Sequence, residues 1–190
     1  MLKFLAMIWL EGVRNFWSNL RWCRHRKDES EAIPEVSADN LNSVLREVYN
    51  NFEWTMDDWT QLFDSVCPAP YIYNQYVEAE KNNTVFHGDC DDYHTVIYHI
   101  LKNSGYDVAL IAVATKPIQQ SHTMCAIKEK IEENGVEKTV YRVIDYTAIR
   151  GPYTSLQDFV DDYHYPVRYW ALDQWDYNKK KFRGVSKKEF

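Results

Sequence analysis

One stretch restricts this chain more than any other: His87-Gly88-Asp89-Cys90-Asp91-Asp92-Tyr93-His94, where a glycine-bearing turn runs directly into a periodic apolar segment. Apolar residues fall at Tyr93, Val96, Ile97, Ile100 and Leu101, the spacing of one buried helical face, and Gly105 offers a left-handed stop. The spacing predicts a helix of about four turns that begins near Asp89, with Cys90 in its first turn. Unsatisfied N–H groups and the positive end of the peptide dipoles gather at such a start, so a thiol there ionises more easily than a free one. The thiolate is the form that attacks a carbonyl carbon. Against this stand Asp89, Asp91 and Asp92, whose charges taken alone raise the thiol's pKa. A plainer reading has Asp89 capping the helix, Asp91 and Asp92 favouring its positive end, and Cys90 as a small buried apolar group. A cysteine nucleophile needs a basic partner and a group that orients the partner, so the choice rests on the rest of the chain.

Upstream the pattern is helical. Leu41, Val44, Leu45, Val48 and Phe52 share one face of a helix from about Asp39. Thr55 and Asp58 resemble a capping box that opens a second helix bearing Met56, Trp59, Leu62, Phe63 and Val66, ended by Cys67-Pro68-Ala69-Pro70. Tyr71 to Lys81 forms a third, short helix, and Asn82-Asn83 a turn.

Beyond Gly105 the period changes. Val108 to Ala114 is a continuous apolar run fit for a central strand, closed by Lys116-Pro117. Ser121 to Ile131 and Val136 to Asp145 are extended segments joined through Glu132-Glu133-Asn134-Gly135, and Asn-Gly is a strong hairpin signal. If Asn134-Gly135 is a two-residue loop, Glu133 faces Val136 and His122 lies diagonal to Asp145. If the loop spans 132–135, His122 sits directly opposite Asp145. Either register puts both on one face, about 5 Å apart at Cβ when opposed and about 7–8 Å when diagonal, within reach of an imidazole-carboxylate hydrogen bond. A one-residue bulge breaks the match. Taken singly, His122 is a histidine on a half-exposed strand and Asp145 a strand-ending turn residue. Gly151-Pro152 then reads as a turn, Thr154 as the cap of a short helix with Leu156, Phe159 and Val160, Val167 to Leu172 as an edge strand, and the lysine-rich end from Asn178 as mobile.

Charge is placed unevenly. Residues 28–178 carry ten Lys/Arg against 26 of the 28 acids, whereas residues 1–27 and 179–190 each hold six basic residues and one acid. The division expected is an N-terminal amphipathic helix and linker over 1–36, a domain over 37–178 and a basic tail over 179–190. Met1 to Leu10 is too short an apolar run to span a membrane and no small-residue cleavage site follows it. Continued through Val13, Phe16, Trp17, Leu20 and Trp22, with Arg14, Arg21, Arg24 and Lys27 on the remaining side, it suits a helix packed on protein or one lying on a membrane surface. Cys23, Cys67, Cys90 and Cys125 lack a framework spacing and read as mostly reduced thiols of a cytoplasmic protein.

Gly88-Asp89-Cys90-Asp91-Asp92-Tyr93, then Ser121-His122-Thr123-Met124, then Val143-Ile144-Asp145-Tyr146-Thr147 resemble the transglutaminase-like superfamily, and within it the bacterial and phage transglutaminase-like cysteine peptidases. The resemblance covers roughly residues 85–150. It departs from the family where Thr123-Met124 replace the usual aromatic after the histidine and where Tyr146 replaces a common proline. It implies an α+β, papain-like fold, with a helical first half and the catalytic cysteine at a helix start packed on an antiparallel sheet. It further implies a triad of Cys90, His122 and Asp145 that acts through a thioester on a peptide, isopeptide or side-chain amide bond of a peptide or protein substrate. The Cys90 backbone N–H is one expected oxyanion donor, and Gln75, Tyr71 and Trp54 are candidates for the second. No cofactor, metal or nucleic-acid partner is expected. Three rival readings stand beside it: a zinc module built from His87, Cys90, His94 and His122 with Cys125 near, a cell-wall amidase of the NlpC/P60 type, and a silent binding module using the acidic, tyrosine-rich surface.

Overall fold

The computed structural model describes residues 33–55, 69–117, 120–176, 178–179, 181–187 and 190. Within them the chain is mixed α+β, with four helices, a six-stranded antiparallel sheet and a two-stranded parallel ribbon. The expected helix over residues 1–27, the second expected helix with Met56 to Val66, Cys23 and Cys67 lie outside the described residues. Among the described residues no helix is long and apolar enough to cross a membrane.

Helix α1, Leu41–Asn50, buries Leu41, Leu45 and Val48, as its period demands. It stops two residues before Phe52, which the sequence places on the same helical face; instead Phe52–Trp54 forms strand β1. Helix α2, Ala69–Lys81, takes Pro70 into its first turn, where a missing N–H costs nothing, so it starts two residues earlier than the tyrosine pattern suggests. Strand β2, Phe86–Gly88, runs parallel to β1 with Phe52 opposite Phe86 and Trp54 opposite Gly88. It delivers the chain to helix α3, Cys90–Asn103. That helix ends as Gly105 foretells: at φ +87° its N–H donates to the Lys102 carbonyl while the Tyr106 N–H donates to the Leu101 carbonyl, satisfying two orphan carbonyls.

Strands β3 (Asp107–Thr115), β4 (His122–Glu133), β5 (Val136–Asp145), β6 (Ala148–Tyr153), β7 (Val167–Asp176) and β8 (Lys181–Val185) stand in the order β6-β5-β4-β3-β7-β8. Side chains alternate across this sheet with period two. Leu110, Cys125, Ile127, Ile144 and Trp175 meet α1, α2 and α3 on one face. Ala109, Ile111, Val113, Met124, Ala126 and Val143 meet Leu156, Phe159 and Val160 of helix α4, Leu156–Asp161, on the other. The apolar run of β3 is thus buried on both faces, each fully covered Ile or Leu contributing about 1.5–3 kcal/mol. Two tethers fix α3 against the sheet: the Trp175 N–H donates to the buried Tyr98 hydroxyl at 2.8 Å, and the Cys125 thiol donates to the His94 carbonyl at 3.1 Å.

The β4–β5 hairpin adopts the two-residue loop, with Glu133 opposite Val136 and both Asn134 (φ 55°) and Gly135 (φ 76°) left-handed. Four expectations are corrected here. Gly151-Pro152 is no turn but lies inside β6, beside an irregularity opposite Tyr141 and Val143; the reversal is Tyr146-Thr147, which brings Ala148 opposite Asp145. Ser155, rather than Thr154, caps α4, because its hydroxyl accepts the Asp158 N–H while the Asp158 carboxylate accepts the Ser155 N–H. Strand β7 runs on to Asp176 and is not at the edge. Its outer side pairs with β8, so part of the lysine-rich end is ordered against an otherwise open edge. Lys187 follows, its ammonium 3.5 Å from the centre of the Trp170 ring, and Phe190 is buried.

Candidate active site

His122 opens β4 and Asp145 closes β5. Because Cys125 faces Ile144, the two are diagonal neighbours, and His122 Nε2 lies 2.9 Å from Asp145 Oδ1. The second carboxylate oxygen accepts from Arg150 Nη2 at 2.9 Å. Both partners of the imidazole-carboxylate pair are largely shielded, their side chains 16% and 15% exposed. Burial by itself raises the Asp145 pKa, but the hydrogen bond from His122, the His122 charge and the Arg150 guanidinium overcome it and bring the carboxyl down to about 2. Asp145 is therefore an anion that can only accept. His122 donates through Nε2–H, and in its neutral form carries its lone pair on Nδ1.

Cys90 is the first residue of α3 and is partly exposed. Asp89 caps the helix with an extended backbone, its carboxylate accepting the Asp91 N–H at 3.0 Å. Gly88 is required by close approach: a Cβ there would sit 2.7 Å from both Cβ and Oδ2 of Asp92. The flanking carboxylates do not all point away from the sulfur into solvent. Asp91 is buried, and the ligand atoms of Asp89, Cys90 and Asp91 lie within 4.8 Å of one another. Ionisation of Cys90 therefore needs a nearby cation as well as the helix start.

His94, one helical turn after Cys90, joins the cysteine to the His122–Asp145 pair. Its ring is fully buried and uses both nitrogens: Nδ1 is 2.7 Å from the Cys90 carbonyl, and Nε2 accepts the Tyr146 N–H at 3.0 Å. A carbonyl only accepts and an N–H only donates, so the ring is the neutral Nδ1–H tautomer. Burial, and then the charge of His122, push its pKa down to about 3. Tyr146, left-handed at φ 53°, lays its ring over His122 at 5.5 Å between centroids, and the His94 ring meets His122 edge-on at 5.4 Å. Tyr49 packs against Tyr146 from the end of α1 and stays half exposed. Tyr163, beyond α4, is raised to about 12 by burial and then by the charge of Asp145.

Of the oxyanion candidates, Gln75 is exposed and Tyr71 half-buried, both on α2, while Trp54, 56% exposed, ends the strand beside Gly88. The zinc quartet does not assemble: His87 sits on β2, exposed, with Nδ1 3.8 Å from Glu53 Oε2. Among the described residues the groups with metal-like spacing are His94–His122–Asp145 and Asp89–Cys90–Asp91. In the first, His94 has no lone pair to give without breaking its bond from Tyr146. Cys125 is buried, its thiol spent on the His94 carbonyl and its pKa pushed far up by burial.

Sequence reasoning missed Arg150 and the true place of His94. Arg150 carries no spacing signal, since it reaches Asp145 across an unforeseen hairpin. His94 has one, the four-residue step from Cys90, which fits a metal ligand equally well. Comparisons with protein-family models, with curated proteins and with solved structures return no match.

Proposed function

We propose that the chain is a thiol-dependent hydrolase or acyl transferase of the transglutaminase-like cysteine peptidase kind, with a papain-like core and a triad of Cys90, His122 and Asp145. The reading is carried by the 2.9 Å bond between His122 Nε2 and Asp145 Oδ1, which leaves Nδ1 as the base, in a pair joined through His94 to a cysteine at a helix start. In this mechanism His122 Nδ1 takes the Cys90 proton and the thiolate attacks the carbonyl carbon of a peptide, isopeptide or side-chain amide. The Cys90 N–H holds the oxyanion, a donor of a kind worth about 2.7–4 kcal/mol. The imidazolium protonates the leaving amine as the C–N bond breaks, leaving a thioester. Water or a second amine, deprotonated by His122, then attacks the thioester and the proton returns to sulfur. Asp145 keeps the ring in one tautomer and, with its own charge fixed by Arg150, stabilises the imidazolium.

Acyl trapping tests the proposal. With p-nitrophenyl acetate the protein should release a burst of nitrophenol and carry an acetyl group that maps to Cys90. Cys90→Ser should show neither, and His122→Ala should acylate about 10²-fold more slowly or worse. An acetyl group that never maps to Cys90 in the native protein would remove the proposal.

A further inference from the structure

His94 stands where the three elements of the candidate site meet. Its side chain bonds the Cys90 carbonyl on its own helix and the Tyr146 N–H at the turn that follows Asp145, and its carbonyl accepts the Cys125 thiol from the strand that begins with His122. The first bond lies within the head of α3, and the other two tie it to the β5–β6 turn and to β4. Tyr146 is left-handed without being glycine or asparagine, a conformation that a β-carbon makes costly, and its N–H bond to His94 is one of the contacts that hold it. The ring so held covers His122.

We propose that His94 is a positioning residue, which through its paired bonds to the Cys90 carbonyl and the Tyr146 N–H sets the separation and facing of the Cys90 thiol and the His122 imidazole. The inference rests on the reaction proposed above. It assigns to His94 no contact with substrate and no proton transfer. Only a ring with a donor on one nitrogen and an acceptor on the other satisfies both contacts, so the role needs the neutral Nδ1–H tautomer. The titratable groups that face this ring are Cys90 and Asp89 from the head of α3, Tyr93 beside it, His122 and Cys125 from β4, and Asp145 and Tyr146 from the end of β5.

Two measurements decide it. The first is the rate of Cys90 alkylation by iodoacetamide against pH, read by peptide mapping, in the full chain and in His94→Gln, His94→Leu and His122→Ala. Loss of positioning should raise the pH of half-maximal labelling by about one unit or more, a roughly tenfold loss of reactivity at fixed pH. His94→Gln, which keeps an acceptor for Tyr146, should shift it less than His94→Leu. A purely structural histidine lowers stability and leaves this midpoint in place. A folded His94→Leu protein whose profile overlays the native one, while that of His122→Ala does not, overturns the inference alone. Overlay of His122→Ala as well overturns the reaction and the inference together. The second, made on the native chain and so independent of whether the variants fold, is nitrogen-15 NMR of the histidine rings. A His94 ring protonated on Nδ1 and bare on Nε2 across the labelling range is expected; an Nε2–H ring, or one titrating near the ordinary value, refutes it.

Discussion

Two thiols flank α3 and differ in nearly everything that governs reactivity. Cys90 is at the head of the helix, partly exposed, among N–H groups and one turn before His94; Cys125 lies mid-strand, fully buried, donating to a carbonyl. The contrast teaches that a reactive cysteine is made by its surroundings rather than by its helix alone, because both thiols touch the same helix. Burial without a cation raises Cys125, whereas the start of α3 can be offset by Asp89 and Asp91 unless His122 supplies positive charge.

The sharpest way to break the comparison is differential alkylation of the folded protein. Cys90 should react on the order of 10³-fold faster than Cys125, which should label only in denaturant; equal rates dissolve the distinction. Next comes Asp145→Asn, which keeps the shape of the His122 partner and removes its charge. Cys90 labelling near neutral pH should fall by about 10²-fold, as for loss of an oriented base, with the fold retained at some cost in stability because Arg150 loses its carboxylate partner.

Smaller effects bear on the framework. Gly88→Ala drives a methyl into Asp92 and displaces the head of α3, at about 1–3 kcal/mol in chemical unfolding, with Cys90 labelling slowed while Cys125 stays silent. Acid titration separates the buried bases. His94 and His99, brought by burial to about 3 and about 4 from an ordinary 6.5, bind protons in the unfolded chain before the folded one. The stability they provide is complete above pH 6.5 and is lost as the pH falls, at about 1.4 kcal/mol per pH unit for each group. Asp145, lowered to about 2 from 3.8, contributes above 3.8 and loses that contribution only as the pH falls towards 2. In denaturant melts His94→Gln should therefore remove about half of the buried-histidine slope between 6.5 and 4 and all of the His94 loss down to 3, leaving the Asp145 loss between 3.8 and 2 in place; an unchanged upper slope would mean that His94 is not held neutral.

What was legible in the sequence is what local chemistry writes down. The 3.6-residue period and Gly105 delimit α3, the Asn134-Gly135 pair marks the hairpin while leaving two registers open, and the period of two carries His122 and Asp145 to one face in either. Where a partner far along the chain decides, the signals fail. Strand β1 has three residues, too few for any period, and exists because β2 pairs with it. The Tyr146-Thr147 reversal lacks the glycine or asparagine that marks such turns, since His94 holds it from outside, and so both β6 and the Arg150 contact were hidden. Strand β8 reads as a charged tail until the open edge of β7 is known.

The central claim, that His122 activates Cys90, is met most directly by the pH dependence of Cys90 alkylation in the intact protein. A midpoint clearly below the ordinary thiol value of about 8.5, restored towards that value in His122→Ala, is the predicted result. A midpoint at or above the ordinary value, unmoved by His122→Ala, contradicts the account.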